Sequence, residues 1–348
     1  MNIASSSALL RPQPGNPCKL APIALFVYNR PEHTRKTVDA LQQNALASQS
    51  DLFVFSDAAK SQPGLAAVQQ VRGYVRTIRG FKSVTIIERE QNMGLANSVI
   101  SGITELCNEF GWVIAVEDDL LTTPDYLTFM NQSLDRYEAE PRVFSVSGFN
   151  FGLRCPEHYS FDAFCFYRSS SWGWGTWKDR WEQADWEMSD YDSFCADKER
   201  RRQFNRGGED LSDMLALQMD GKIDSWAIRW AYTHFKKDAL ALLSFRPLVY
   251  HFGSDSAATH SRRKSFRQSP LTREHRSMFR HPDEVRLEED FVLELQRSLR
   301  PSLARKMVRR MLHWRMGSVR NPLTSSKLLR TKPERSTAPE ATRRSIVD

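Results

Sequence analysis

Three acidic residues follow directly on an apolar run in the stretch WVIAVEDDLLTTPDYL, residues 112–127. Glu117, Asp118 and Asp119 stand where the run ends, and carboxylates this close repel one another unless a positive partner holds them. A divalent cation with oxygen ligands is the simplest such partner, and Mg²⁺ or Mn²⁺ bridging to phosphate oxygens is its commonest use. The triad therefore predicts a metal site beside a phosphate group.

A capping role is the alternative for the same acids. Asp is common near helix N-termini, so Asp118 or Asp119 could cap the helix that the following residues predict. Thr122 or Thr123, with Pro124 behind it, could supply that cap alone. The sequence favours metal binding and leaves the capping role open.

Two other apolar runs end in residues that suit a nucleotide. Arg30, in YNRPEH, carries planar donors that match phosphate oxygens, and Pro31 fixes the turn behind it. Asp57, in FSDAAK, could accept a hydrogen bond from a base N–H or a ribose hydroxyl. The alternatives are a surface arginine and an ordinary turn residue.

These residues need elements that bring them together. Four apolar runs are continuous, as in strands covered on both faces, and they cover residues 22–28, 51–56, 83–88 and 111–116. Residues with helical spacing lie between them, at 34–46, 65–78 and 94–110. The alternation predicts a parallel sheet with right-handed crossovers, and such sheets bind ligands outside the carboxyl ends of their strands. That rule selects Arg30, Asp57, Asn92 and residues 117–119.

The rest of the chain predicts, in order, a helix at about 124–140, a fifth strand at 142–149, helices within 189–237 and two short strands within 239–250. A small, polar and basic loop at 253–269 follows. It suits a flexible lid that closes Arg262, Arg263 or Lys264 over a diphosphate. His251 could be a further metal ligand, although a lone His after a strand is more often structural.

The ordered set of strand ends resembles the nucleotide-sugar glycosyltransferases of the GT-A fold. The resemblance is carried by a first strand ending in Asn-Arg, a second ending in Ser-Asp, QNMGLANSVISGI at the next helix, and VEDDL with PDYL downstream. It is nearest to the Golgi N-acetylglucosaminyltransferase that opens complex N-glycan synthesis and to bacterial relatives in polysaccharide gene clusters. It covers residues 22 to about 150 well, and more loosely to about 255. The implied fold is α/β, a Rossmann-like, mostly parallel sheet flanked by helices, here with a basic helical extension at the C-terminus.

The resemblance also implies roles for the strand-end residues. Asp119 would ligate Mn²⁺ or Mg²⁺, and the two acids before it would shape the site around the sugar and ribose. Arg30 would contact the donor near its diphosphate. Asp57 and Asn97 would lie at the base, which is uracil if the donor is a UDP-sugar.

A catalytic base must come from the less regular half. In the implied mechanism the metal neutralises the diphosphate leaving group while a carboxylate takes the proton of the acceptor hydroxyl. Asp224, in GKIDSWAIRW, ranks first because the resemblance places it beside an acid-acid-Trp segment that carries the base, although Ser225 here replaces one of those acids. Asp210 ranks second and Glu209 third. Asp224 could instead cap the helix predicted to begin at Ser225.

Four tryptophans and two glycines are packed into SSSWGWGTWKDRW, residues 169–181. Sugars present C–H faces that stack on indole rings, and glycine permits close backbone approach, so part of this stretch predicts an acceptor-binding wall. Trp177 and Trp181 are four residues apart, which favours one core face of a helix. The acceptor-binding prediction therefore falls on Trp172 and Trp174.

The chain predicts five segments: a flexible leader at 1–20, a nucleotide-sugar-binding α/β half at 21–150, an acceptor-binding and catalytic half at 151–284, a basic amphipathic helix at 285–316 and a disordered tail at 317–348. Residues 297–348 hold 14 Lys and Arg against three Asp and Glu, so the remainder is mildly acidic. This split argues against a nucleic-acid-binding core. The basic helix is typical of a peripheral anchor on anionic lipid, with a linker or partner-binding helix as the alternative.

Cysteine usage and hydropathy predict a cytoplasmic protein, which would be peripheral at the inner face of the cytoplasmic membrane if the basic helix is an anchor. The five cysteines form no CxxC pair, so neither a disulfide framework nor a thiolate zinc site is favoured. No apolar run approaches a transmembrane helix, and the N-terminal residues have no long apolar region of the signal-peptide type.

The combined prediction is a metal-dependent glycosyltransferase of the hexosyl or N-acetylhexosaminyl type, inverting by resemblance. It would move a sugar from a nucleotide diphosphate to a glycan or lipid-linked acceptor in bacterial surface polysaccharide synthesis. Two alternatives stay open. A sugar nucleotidyltransferase would be expected to show a Gly-rich basic loop where this chain has YNRPEH. The second alternative is a non-catalytic glycan- or nucleotide-binding protein. The feature that favours it is Ser225, which stands in place of an acid.

Overall fold

Strands from both halves of the chain build one sheet. The computed structural model describes residues 19–253, 268–272, 274–299 and 342–346. Its strands are β1 (Ile23–Val27), β2 (Asp51–Ser56), β3 (Ser83–Glu88), β4 (Trp112–Glu117), β5 (Leu120–Thr122), β6 (Val143–Ser147), β7 (Ala163–Phe166), β8 (Trp174–Trp177), β9 (Leu240–Ser244), β10 (Val249–His251) and β11 (Thr342–Ile346). Among the described residues, nine of them form a sheet in the order β11-β3-β2-β1-β4-β8-β6-β9-β7, and β5 pairs with β10.

The first four strands run parallel, with β1 between β2 and β4. Side chains alternate across a strand, so a continuous apolar run supplies two buried faces. In β1, Ile23 and Leu25 face one buried cluster, whereas Ala24 and Phe26 face another. This explains why these strands read as unbroken apolar runs in the sequence.

Helices cover both faces of the sheet. They are α1 (Pro31–Gln42), α2 (Leu65–Val75), α3 (Gly94–Phe110), α4 (Tyr126–Arg136), α5 (Lys178–Trp181), α6 (Tyr191–Ala196), α7 (Lys198–Phe204), α8 (Leu211–Met219), α9 (Trp226–Lys236) and α10 (Glu289–Ser298). Residues of α1, α2 and α4 pack with Ile23 and Leu25, and residues of α3 and α9 pack with Ala24 and Phe26. The predicted α/β class, a central sheet with helices on both faces, is confirmed.

The second half of the chain completes the same sheet. Strand β8 lies antiparallel between β4 and β6, and β9 pairs parallel with β6 and antiparallel with the edge strand β7. The sequence did not predict β5, β7 or β8, which are only three or four residues long. The five predicted strands of the first half all form, within two residues of their expected bounds.

Helix α1, near the site, differs from the prediction at both of its ends. Helix α1 begins at Pro31 rather than at residue 34, since proline suits the first turn of a helix, where its missing N–H costs no hydrogen bond. It ends at Gln42, four residues before the expected end. Helix α3 forms over the predicted range of 94–110.

The C-terminal predictions are tested only in part. Helix α10 begins at Glu289, so residues 285–288 do not form the helix that was predicted for them. Residues 300–316 lie outside the described ranges. Residues 342–346 form β11 against β3, so the prediction of a disordered tail is wrong for these five residues. The rest of the tail, the leader up to residue 18 and the predicted lid residues 262–264 also lie outside. In the described part of the chain, no helix is both long and apolar enough to cross a membrane.

Candidate active site

A cleft of about 680 Å³ opens at the carboxyl ends of the parallel strands. This volume is typical of small-molecule sites. Seven of the ten predicted site residues line it: Arg30, Asp57, Glu117, Asp118, Asp119, Trp172 and Asp224. Asn97, Asp210 and Trp174 do not line it.

The acidic triad reaches the cleft because β4 ends at Glu117, opposite Phe26 of β1. Asp118 and Asp119 then form the turn into β5, whose pairing with β10 puts His251 opposite Leu120. The end of β1 places Arg30 beside this turn. Neither Asp118 nor Asp119 caps the next helix, because α4 begins only at Tyr126 and has no side-chain cap. The capping alternatives for these two acids, and for Thr122 and Thr123, are therefore wrong.

Arg30 and His251 hold the two aspartates in place. Arg30 Nη2 donates to Asp118 Oδ1 and, at 3.0 Å, to Asp119 Oδ2. His251 Nε2 lies 3.3 Å from the same Asp119 oxygen. Burial lowers the pKa of Arg30, but the two aspartates outweigh it and hold that pKa above its usual range, so the guanidinium stays charged.

The three acids differ in protonation because their partners differ. Burial raises the pKa of Glu117, and the two neighbouring carboxylates raise it further. Burial also raises the pKa of Asp118, to about 6, although Arg30 opposes the change. Burial would raise the pKa of Asp119 as well, but His251 and Arg30 outweigh it and hold this pKa below its ordinary value. Asp119 is therefore the acid held most firmly as a carboxylate.

The hydrogen bonding of two carboxylate oxygens in this cluster is incomplete among the described residues. Asp118 Oδ2 and Asp119 Oδ1 are buried and have no hydrogen-bond partner among the described residues. A buried acceptor without a partner is costly, and a cation is the chemistry that two such carboxylate oxygens fit. In the described part of the chain, no three His, Cys, Asp or Glu side chains are grouped closely enough to enclose a metal. The residues therefore fit a cation that takes one or two carboxylates from the protein and its other ligands from phosphate, as Mg²⁺ usually does.

Asp57 organises the start of α3. Its Oδ1 accepts from the backbone N–H groups of Ala58 and Met93, both at 2.9 Å. Its Oδ2 accepts from Asn92 Nδ2 at 3.0 Å and from Gly94 N at 3.1 Å. A carboxylate has about four acceptor positions, and these bonds fill them. The geometry therefore gives Asp57 a positioning role, in place of the predicted contact with the base.

Asp224 meets the same helix from the other side of the cleft. It is exposed at the cleft, and its Oδ2 accepts from Ala96 N at 3.2 Å. Ser225 is the N-cap of α9 and accepts from Ile228 N, so the capping alternative for Asp224 is wrong. Asp57 and Asp224 accept from two N–H groups in the first turn of α3, so fewer of these groups remain to hold a phosphate.

Asp210 and Asn97 form hydrogen bonds with other groups of the protein. Both oxygens of Asp210 accept from Arg168, at 2.7 and 3.0 Å, and Arg168 lines the cleft whereas Asp210 does not. Glu209 does not line the cleft either. Asn97 is exposed, does not line the cleft and donates to Met93 O of its own helix at 3.1 Å.

The tryptophans divide differently from the prediction. Trp172 stacks on His251 with ring centroids 4.4 Å apart and an interplanar angle of 7°, and it lines the cleft. Trp174 is 1% exposed and stacks on Trp226 in the core, so its predicted place on the acceptor wall is wrong. Trp177 and Trp181 are buried as predicted, but Trp177 belongs to β8 and Trp181 to α5, and they pack in different clusters.

The prediction missed several residues of the cleft. His251 was considered as a metal ligand or a structural residue, and its contact with Asp119 was not predicted. Phe151 lines the cleft with a φ of 48°, a left-handed conformation that is strained for a bulky residue and is concentrated at functional sites. Arg168 and the serines at 169–171 also line the cleft, and the run RSSSW was the signal available in the sequence.

Comparison with known proteins places glycosyltransferases among the structures that the chain is similar to. No protein-family model matches the sequence. The mannosyltransferase PcManGT from Pyrobaculum calidifontis, in complex with GDP-Man and Mn²⁺, is 17% identical with a TM-score of 0.27, over 41% of this chain and 40% of its own. TarS 1-349 of S. aureus is 9% identical with a TM-score of 0.38, over 68% of this chain and 61% of its own. The same fragment in complex with UDP-GlcNAc is 12% identical with a TM-score of 0.27, over 39% and 37%. The chain thus spans less than two thirds of each of these structures.

Proposed function

We propose that the protein is a glycosyltransferase that moves a sugar from a nucleotide diphosphate to an acceptor hydroxyl with the help of Mn²⁺ or Mg²⁺. The observation that carries this proposal is the pair of buried oxygens, Asp118 Oδ2 and Asp119 Oδ1, which lack a hydrogen-bond partner in the described part of the chain. They lie at the edge where a parallel sheet binds its ligand. A cation held by these two carboxylates would remove the cost of burying them and would supply positive charge to a diphosphate.

The diphosphate belongs at the Arg30 end of the cleft. The start of α3, the other electropositive group nearby, already donates to Asp57 and Asp224. Arg30 stays charged and presents planar donors, which suit phosphate oxygens. When bound, the cation supplies further positive charge to the leaving group. Trp172 and His251, stacked on each other, close this end of the cleft.

Asp224 is the favoured base for the acceptor hydroxyl. It lies in the cleft, is exposed and makes one hydrogen bond, to Ala96 N, through one oxygen. Asp210, in contrast, is held through both oxygens by Arg168 and lies outside the cleft lining. We therefore assign proton removal to Asp224 and the positioning of Arg168 to Asp210.

Metal dependence is tested with a panel of UDP-sugars and GDP-mannose, with Mn²⁺ and after EDTA treatment. We expect hydrolysis or transfer to require the metal, and Asp119→Asn to lower it about a hundredfold or more, since charge neutralisation by a metal is worth several kcal/mol. Calorimetric titration of UDP with Mn²⁺ should show the same loss without relying on turnover. Asp283→Asn, whose side chain is 89% exposed, is the control. Activity that survives both EDTA and Asp119→Asn would sink the proposal.

The assignment of the base is tested by comparing Asp224→Asn with Asp210→Asn. Asp224→Asn keeps an oxygen for Ala96 N, so we expect UDP binding to persist while kcat for transfer falls by about 10² to 10⁴. Asp210→Asn should instead lower stability, because it removes the negative charge that pairs with the buried Arg168 in the described structure. A variant Asp224→Asn with unchanged kcat would remove Asp224 from this role.

We also propose the finer features that the resemblance implies. The donor is a UDP-sugar, transfer inverts the anomeric centre, and the product belongs to bacterial surface polysaccharide made at the cytoplasmic face of the membrane. The Golgi-type relationship stays part of this proposal. The anomeric configuration of the product, determined by NMR, tests inversion directly.

Membrane attachment through the basic C-terminal segment is proposed as well. Phe291 and Leu295 of α10 are core residues, so a truncation that tests attachment must spare them. Co-sedimentation with anionic liposomes should be lost in a chain that ends after residue 299 and kept in the full chain. Equal binding of both would remove the attachment proposal.

A further inference from the structure

One wall of the cleft is apolar and faces the polar wall that carries the acids. It is formed by Leu211, Met214 and Leu217 of α8, by Ile223 in the loop after α8, and by Ala227 of α9. None of these side chains carries a hydrogen-bonding N–H or O–H group.

Part of this wall belongs to the core, since Leu211 is buried and Met214 and Ala227 pack against buried clusters, whereas Leu217 is exposed. Within α8, Leu211 and Leu215 are 2% and 0% exposed and belong to a buried cluster. Leu217 is 38% exposed, and Met219, at the end of the helix, is 36% exposed. A surface helix ordinarily presents one apolar stripe to the core and polar residues elsewhere. Leu217 is therefore an apolar side chain on the cleft side of α8 that core packing alone does not require.

The position of Asp224 connects this wall to the chemistry. It follows Ile223 directly in the chain, and both line the cleft. A hydroxyl that reaches Asp224 therefore brings the adjoining part of the acceptor against Ile223, Leu217 and Met214. Sugar hydroxyls placed there would lose water without gaining a partner, which is unfavourable, whereas hydrocarbon placed there gains from burial.

We propose that the acceptor is a lipid-linked molecule, with the reacting hydroxyl at Asp224 and a hydrocarbon chain along Met214, Leu217 and Ile223. This inference rests on the proposed function and narrows its acceptor class. The serines at 169–171 on the same cleft offer hydroxyls to the polar head of such an acceptor.

The test is a series of methyl, butyl, octyl and decyl glycosides, each below its critical micelle concentration, offered with the donor panel and Mn²⁺. We expect KM to fall about two- to fourfold per added methylene until the wall is covered, given the free energy of burying a CH₂ group. The free sugar should be the poorest acceptor. The wild-type series stands by itself, so the test does not depend on any variant folding.

A matched pair of variants locates the effect. Leu217→Ser should flatten the dependence of KM on chain length, whereas Leu65→Ser, at a position of similar exposure on α2, should leave it intact. If donor hydrolysis or transfer occurs but KM is the same for every glycoside in the series, the lipid-linked acceptor is overturned and the proposed function is not. The absence of hydrolysis and transfer with every donor would overturn the proposed function instead.

Discussion

At the scale of single residues, the site depends on how closely Gly253 approaches Asp119. A Cβ atom at Gly253 would lie 2.1 Å from Asp119 Oδ2 and 2.7 Å from both Asp119 Cβ and Cγ. Phe252 N also donates to Asp119 O at 3.0 Å, which fixes the two segments together. Asp119 therefore cannot move aside cheaply.

We predict that Gly253→Ala displaces Asp119 and abolishes metal-dependent donor hydrolysis, while stability falls by about 1–3 kcal/mol, as is usual for overpacking. Gly73→Ala is the control, because nothing lies within 4 Å of its Cβ position, and alanine is the better residue inside a helix. Hydrolysis assays and urea denaturation of both variants measure the two effects. Wild-type hydrolysis in Gly253→Ala would show that the backbone there tolerates a side chain and that Asp119 is not fixed by it.

A buried histidine away from the cleft makes stability depend on pH. His234 Nδ1 lies 3.0 Å from Trp230 O, and Nε2 lies 2.9 Å from Ser145 Oγ. Burial lowers the pKa of His234 to about 4. The folded protein therefore binds fewer protons than the unfolded chain between pH 4 and about 6.5, so this contribution is complete above about pH 6.5 and is lost as the pH falls toward 4.

We predict that His234→Gln reduces the loss of stability between pH 7 and pH 5 by about 2 kcal/mol, since one group contributes about 1.4 kcal/mol per pH unit. Urea denaturation at both pH values measures the loss in wild type and variant. His158→Gln, at an exposed histidine, should leave the loss of stability between pH 7 and pH 5 unchanged. An equal loss in wild type and His234→Gln would mean that His234 does not titrate as described.

The residues that the sequence located best are those at strand ends. Arg30 and Asp119 could be placed together because parallel strands end at one edge, whatever packs elsewhere. Trp174 and Asp210 could not be placed, because their partners, Trp226 and Arg168, are 52 and 42 residues away along the chain and nothing in a local pattern announces them. Which side of a short aromatic segment faces the core is decided by such contacts.

At the scale of elements, the same contrast separates long periodic segments from short ones. Helix α3 and the first four strands were predictable because each carries enough apolar residues to show its period. Strands β7 and β8 have four residues each, and β8 is WGTW, too short for any period. They are held by their neighbours in the sheet rather than by local propensity.

Helix α10 is an element whose sequence suggests a free amphipathic helix but whose structure is part of the core. Phe291 is 3% exposed and packs edge-on against Tyr159 and Phe245, with ring centroids at 4.9 and 5.1 Å. We predict that Phe291→Ala lowers the free energy of unfolding by about 3–5 kcal/mol, the usual cost of removing a buried aromatic ring.

Leu293→Ala, two residues along the same helix and 48% exposed, is the matched control and should change the free energy of unfolding by less than about 0.5 kcal/mol. Urea denaturation of both variants separates the two cases. Similar small effects at both positions would mean that α10 is not docked against the rest of the protein.

At the scale of the whole molecule, the two predicted halves cannot be separate folding units. Strand β8 comes from the second half, yet it lies between β4 and β6 of the first. A fragment of residues 19–150 therefore contains β4 and β6 without the strand that joins them, and it also lacks α9, which covers the Phe26 face of the sheet.

We predict that the 19–150 fragment shows no cooperative urea transition, whereas the full chain unfolds in one. Seven of the nine tryptophans lie between residues 172 and 230, so fluorescence reports mainly on the second half and far-ultraviolet circular dichroism on both. Coincident transitions by these two probes in the full chain are the expected result for a single unit. Two separated transitions, or a sharp transition of the fragment alone, would show that the sheet tolerates the loss of β8. In that case the nucleotide-binding and acceptor-binding walls of the cleft would be able to move independently, and the close placement of Asp224 against α3 would not be a fixed feature of the site.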